Sequence, residues 1–141
     1  MKFMVIVKAT ADSEAGVMPT RQQLAEMGQF NEELVKAGVL LAGEGLHPTS
    51  RGARIVFDGD SRSVVDGPFT ESKELIAGFW IIEVSSRQEA IEWMRRCPNP
   101  YNGGRGDIEI RQIFAAEDFG DALTPELREQ EERRRAQAGA L

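Results

Sequence analysis

The chain has 141 residues, 41% of them hydrophobic, with a net charge of −6. That is enough for one soluble domain with a single core. The acidic balance sets a phosphate backbone aside as a partner. No apolar run is long enough to span a membrane, and the lone Cys97 has no internal disulfide partner, so a reducing cytoplasm is the expected compartment.

Residues 2–8 (KFMVIVK) are too short an apolar run, too soon bounded by Lys8, for a signal peptide, and read as a strand. Phe3, Val5 and Val7 point one way and Met4 and Ile6 the other, so both faces are apolar, as in a central strand. Residues 9–19, with Gly16 and Pro19, read as a loop. Thr20-Arg21-Gln22-Gln23 fits a capping box. Leu24, Met27, Phe30, Leu34 and Val35 then give a helical stripe that ends at Gly38. Residues 39–46 read as a strand interrupted by Gly43 and Gly45. His47-Pro48 and a turn over 49–52 follow.

Residues 53–57 and 62–66 flank Asp58-Gly59-Asp60-Ser61, a hairpin signal. The hairpin leads to Asp66-Gly67-Pro68-Phe69, a rigid turn with an apolar residue aimed at the core. Residues 76–84 form a second strand apolar on both faces. Ser86-Arg87-Gln88-Glu89 is a second capping box, followed by the stripe Ala90, Ile91, Trp93, Met94 and Cys97. Pro98 stops that helix, residues 100–106 connect, and 107–114 form the last core strand. Thr124-Pro125-Glu126 opens a terminal helix. Its residues 126–135 hold four Glu and four Arg, so the arginines are no free basic patch. The division is a body over 1–121 and a charged tail over 122–141.

The order strand, helix, strand, hairpin, strand, helix, strand is an α+β, ferredoxin-like split pattern with an inserted β-hairpin. Two helices cover only one sheet face. The apolar face left over predicts a homodimer packed sheet against sheet.

His47 is the only histidine and is suited to acid–base work near neutral pH; its alternative is a structural or exposed role. Asp66 is the carboxylate placed to orient it, or else a turn cap. Arg54, Lys73, Glu74, Glu71 and Glu44 are candidate substrate contacts, against surface ion pairing as the alternative. One His and one Cys do not build a structural zinc site. Gly103-Gly104-Arg105-Gly106 lacks the ending of a phosphate loop, and no dinucleotide fingerprint occurs. No cofactor is expected. Cys97 reads as a core residue rather than a nucleophile. Trp80, Trp93 and Tyr101 are too scattered to stack bases.

Asp66-Gly67-Pro68-Phe69, followed by Glu71, Lys73 and Glu74 and then Gly78-Phe79, resembles the signature of the DGPF branch of the YCII-related family. The resemblance extends over roughly residues 1–114, including residues 37–40, Gly43-Glu44, 90–93 and 108–110. It implies a ferredoxin-like fold of the dimeric α+β barrel type and directs attention to a His/Asp pair as the catalytic group. For some relatives it implies a link to an alternative sigma factor. Two functions follow. One is a cofactor-independent enzyme acting on a small polar or aromatic metabolite. The other is a non-catalytic ligand-binding or regulatory dimer.

Overall fold

A computed structural model describes residues 1–71 and 73–139. Ser72 of the signature, and Ala140 and Leu141 at the end of the tail, lie outside the described residues. The elements are β1 (Lys2–Lys8), α1 (Ala11–Glu14), α2 (Arg21–Lys36), β2 (Leu40–Gly45), β3 (Ala53–Asp58), β4 (Ser61–Asp66), β5 (Ile76–Glu83), α3 (Arg87–Met94), β6 (Ile108–Gln112) and α4 (Pro125–Ala138). It is a mixed α+β architecture. Four strands form one sheet in the order β2-β5-β1-β6, every neighbouring pair antiparallel. The hairpin β3-β4 forms a separate two-stranded sheet.

Alternation along the strands sorts the sheet into two faces. Val5 lies opposite both Trp80 and Ile110, which puts Phe3, Val5, Val7, Trp80, Ile82, Ile108 and Ile110 on one face. Phe30 and Leu34 of α2 and Ala90 and Met94 of α3 close that face into the core. Phe30 and Trp80 meet edge to face at 6.1 Å, and the Trp80 indole N–H donates to Asn31 Oδ1 at 2.8 Å. The opposite face carries Met4, Ile6, Phe79 and Ile81, all half-buried. The remaining α-helices, α1 and α4, bury none of their own residues.

Local signals account for the starts of the helices. Thr20 and Gln23 exchange side-chain-to-backbone hydrogen bonds of 3.1 and 2.8 Å, completing the expected capping box. The second box is only half formed. Ser86 accepts from the Glu89 N–H, but the Glu89 carboxylate is taken by the N–H and hydroxyl of Ser85. Those two bonds hold the Glu89 carboxyl below its ordinary range. The segment expected to be a loop over 9–19 contains α1, opened by a reciprocal Thr10–Ser13 cap. Only four residues long, α1 is too short to show a periodic stripe.

The α2 stripe is narrower than its periodicity implied. Leu24 is 58% and Val35 61% exposed, while Met27, Phe30 and Leu34 face the core. Val35 lies one residue, about 100°, from Leu34 around the helix. Cys97 is half-buried; burial pushes its thiol up to about 11, and the S–H donates to the Pro98 carbonyl. It is therefore a packed thiol, as the stripe implied. After β6, Phe114 and Phe119 pair with ring centroids 5.1 Å apart, 3-10 turns over 116–122 break at Gly120, and in the tail α4 follows its Thr124 cap. Leu123 and Leu127 line a shallow concavity of the tail itself. Glu131 is engaged by Arg134 and Arg135, an exposed network of small energetic weight.

Leu34→Ala should lower unfolding free energy by roughly 2–5 kcal/mol, because a fully buried leucine leaves a cavity. Val35→Ala, on the same helix but exposed, should change it by less than about 0.5 kcal/mol. Denaturant titration of both variants checks the assignment of the buried stripe.

Candidate functional site

The candidate residues lie on β2, on the hairpin and on the segments that join them to each other and to β5. The Leu46 N–H donates to the Ala77 carbonyl at 2.8 Å, carrying β2 past its last ladder pair. His47-Pro48 follows, then a 3-10 turn over Thr49–Arg51. The hairpin leaves and returns through Gly52 and Gly67, whose backbones are bonded at 3.0 Å. The Gly67–Pro68 peptide is cis.

Two contacts lock these segments together. The Glu14 carboxylate accepts from the Thr49 N–H at 2.8 Å and from its hydroxyl at 2.6 Å. The same hydroxyl oxygen accepts from the Phe69 N–H at 3.0 Å. Thr49 thus uses its side chain as both donor and acceptor, joining α1 to the returning turn. Gly67 also sits directly on the Thr49 carbonyl: a Cβ there would lie 1.7 Å from that oxygen. The glycine of the signature is therefore a packing requirement.

His47 is exposed and meets Arg51, whose Nη1 lies 3.2 Å from Nε2 and 3.4 Å from Nδ1. A guanidinium only donates, so the imidazole nitrogen facing it is the acceptor. Asp66 stands exposed at the foot of the hairpin, opposite Ala53. Among the described residues no hydrogen bond or ion pair joins Asp66 to His47. Their segments nevertheless touch, since the turn after Asp66 is seated on the turn after His47.

Arg54 reaches back from β3 and lays its guanidinium 3.7 Å over the Phe69 ring. Phe69 is accordingly half-buried under an arginine, where the sequence placed it in the core. Lys73, Glu71 and Glu74 are exposed on the connection to β5, where the Glu74 N–H donates to the Glu71 carbonyl. Glu44 lies on β2 opposite Phe79, on the sheet face that carries Met4 and Ile6. The structure thus brings His47, Asp66 and Arg54 to one region, leaves Lys73, Glu71 and Glu74 on an exposed loop, and places Glu44 on the open face.

Sequence reasoning missed Glu14, Thr49 and Arg51. A four-residue spacing between His47 and Arg51, with Pro48 starting a helical turn, was a usable local signal for the last. The Glu14–Thr49 contact spans 35 positions, and no local pattern encodes it. Among the described residues no group of three or more His, Cys, Asp or Glu gathers as a metal site, and no helix is long and apolar enough to cross a membrane. The clearest concavities lie on α4 and on the outer side of α2, away from His47.

Gly67→Ala should destabilise the chain by roughly 1–3 kcal/mol, the usual range for forced overpacking. Gly45→Ala, where a Cβ meets nothing within 4 Å, should be tolerated. Thermal unfolding of the two variants separates the packing requirement from a general cost of losing a glycine.

The chain is 31% identical over 90 residues to an uncharacterized protein of Rhizobium meliloti (strain 1021), covering 64% of this chain and 72% of that protein. Among solved structures it is similar to 5-chloro-2-hydroxyhydroquinone dehydrochlorinase from Burkholderia phenoliruptrix AC1100 in complex with 2,5-dihydroxybenzoquinone, with a TM-score of 0.45 and 17% identity over 81% of this chain and 94% of the other. Residues 1–117 match the YCII-related domain, and the chain belongs to the YCII-related family.

Proposed function

We propose that this YCII-related protein is a cytoplasmic, homodimeric, cofactor-independent enzyme that moves a proton on a small polar or aromatic metabolite bearing an anionic group. One observation carries the reading: the Glu14–Thr49–Phe69 contacts and the seat of Gly67 hold the segments bearing His47, Arg51, Arg54 and Asp66 together at one end of the sheet. His47 is the acid–base group and Asp66 supplies the carboxylate that orients it. Arg51 and Arg54 are the donors for the anionic group; a planar fork suits a carboxylate. Lys73, Glu71, Glu74 and Glu44 are outer contacts.

The Asp66–Phe69 turn, with Glu71, Lys73 and Glu74 behind it, supports the DGPF branch. The strand order β2-β5-β1-β6, with α2 and α3 on one face and the hairpin inserted after β2, supports the ferredoxin-like reading. The unroofed face of Met4, Ile6, Phe79 and Ile81 supports a dimer of the α+β barrel type packed through the sheets. The division at 121/122 is supported by α4, which buries none of its residues.

A second reading, a non-catalytic regulatory protein linked to an alternative sigma factor, is favoured by the end of the body and the tail. Phe114 and Phe119 are exposed, and α4 offers Leu127 on an exposed, charged helix. These are features of a surface that takes a protein partner.

The single imidazole makes the first test direct. In proton NMR the ring signals of His47 should move on addition of one member of a panel of small carboxylated and hydroxylated metabolites. That ligand should also raise the melting temperature. Turnover of it should fall about 10²–10⁴-fold in His47→Asn, with folding intact. Asp66→Asn should fall similarly. Full turnover in both variants, or a panel that leaves His47 unmoved, sends the function to the regulatory reading. Ile6→Lys should halve the particle mass measured by light scattering, whatever other contacts join the copies. An unchanged mass rejects the sheet-face dimer.

A further inference from the structure

We infer that the β3-β4 hairpin is one half of an intermolecular four-stranded sheet, in which β3 pairs antiparallel with β3 of a second copy of this chain. The inference does not rest on the catalytic reading above; the residue the two share is Arg54.

The hairpin is physically incomplete as it stands. Its strands are six residues each and pair only with one another. Every residue of both strands is exposed. An isolated two-stranded hairpin is marginal in water and needs further strands or a packed face. Gly59, at φ +60°, fits the first central position of the tight II′ turn that closes it.

The register tells which backbone groups are open. The Gly67 N–H donates to the Gly52 carbonyl, so Gly52–Gly67 is a hydrogen-bonded pair. Such pairs alternate along an antiparallel ladder. Arg54–Val65, Val56–Ser63 and Asp58–Ser61 are therefore bonded inward, and Ala53, Ile55 and Phe57 turn their N–H and C=O groups outward. Among the described residues none of these outward groups has a partner.

The two edges differ in character. β3 reads ARIVFD, with Ile55, Val56 and Phe57 exposed by 59%, 46% and 62%. Ala53, Ile55 and Phe57 make one face apolar, and Val56 stands at the centre of the other, between Arg54 and Asp58. β4 reads SRSVVD and opens with Ser61-Arg62-Ser63, the polar dressing of a protected edge. A sheet ordered β4-β3-β3-β4 puts each strand where its composition belongs.

Charge selects the second copy and its register. A two-fold axis must set the same strand against itself. An axis through Val56 sets Val56 against the partner's Val56, Ile55 against the partner's Phe57, and Arg54 against the partner's Asp58. The outward residues Ile55 and Phe57 then exchange both hydrogen bonds. Each copy contributes one cross-strand ion pair and one aromatic–β-branched pair, the pairings that stabilise sheets. An axis through Ile55 leaves both charges unpaired, and an axis through Arg54 opposes two arginines.

The test is a cross-link. Val56 would face the partner's Val56 in a non-hydrogen-bonded pair, with Cα atoms about 4.5 Å apart, within disulfide range. Val56→Cys under mild oxidant should give a nearly complete, reducible covalent dimer. Ser63→Cys, on the outer strand and separated from its copy by three strand spacings, or roughly 14 Å, should give none. Wild type, whose Cys97 thiol is half-buried, serves as background. Adding Ile55→Pro to Val56→Cys removes one outward N–H and spares the hairpin's own ladder, and should abolish the bridge. A Val56→Cys protein that stays monomeric on a non-reducing gel, or a Ser63→Cys protein that bridges equally, overturns the inference. The bridge reports the hairpin contact alone, whereas the mass of Ile6→Lys reports the sheet-face dimer, so either can fail without the other.

Discussion

The seat of Gly67 on the Thr49 carbonyl is the constraint on which this molecule turns. Where the two ends of the hairpin pass each other against the body, the chain has no room for a single extra carbon. Packing at that density transmits position: a residue one place before or after the contact is located by it. Asp66 precedes it, Phe69 follows it, and His47 and Arg51 flank its other half. Glu14 completes the lock from a helix that otherwise buries nothing. Two charge-assisted hydrogen bonds and one neutral one meet at the Thr49 side chain and backbone.

The body and the hairpin are stabilised differently. In the body, α2 and α3 close one face of the sheet, and Phe3, Val5, Leu34 and Ile82 are lost almost completely from water. Burial of that kind is the dominant favourable term in folding. The hairpin has no such term within one chain. Its apolar residues are exposed; Arg62 lies over Phe57 within the hairpin, and Arg54 reaches out of it to lie over Phe69. Arg54 thereby ties the hairpin to the turn that carries the candidate site.

Exposure also shapes the chemistry available. The His47, Asp66 and Arg54 side chains all belong to exposed residues, and the clearest concavities among the described residues lie elsewhere, on α4 and α2. A site of that kind gains its low-dielectric walls only when something covers it, a substrate or another copy. The unroofed sheet face bearing Glu44 and the open edge of β3 are the two surfaces where a second copy would supply such a wall.

Much of this was legible in the chain itself, because the signals are local. Short apolar runs marked β1 and β5, Thr20 with Gln23 marked the start of α2, and Asp58-Gly59-Asp60-Ser61 between two short runs marked the hairpin. Local steric and hydrogen-bonding preferences act over a few residues, so a few residues display them. Tertiary structure decided the rest. It chose which stripe residues of α2 are buried, gave the Glu89 carboxylate to Ser85, and stacked Arg54 on Phe69. It turned His47 to Arg51 and brought Glu14 to Thr49. Each of these depends on which segments meet in space, and contacts between distant positions leave no periodic trace along the chain.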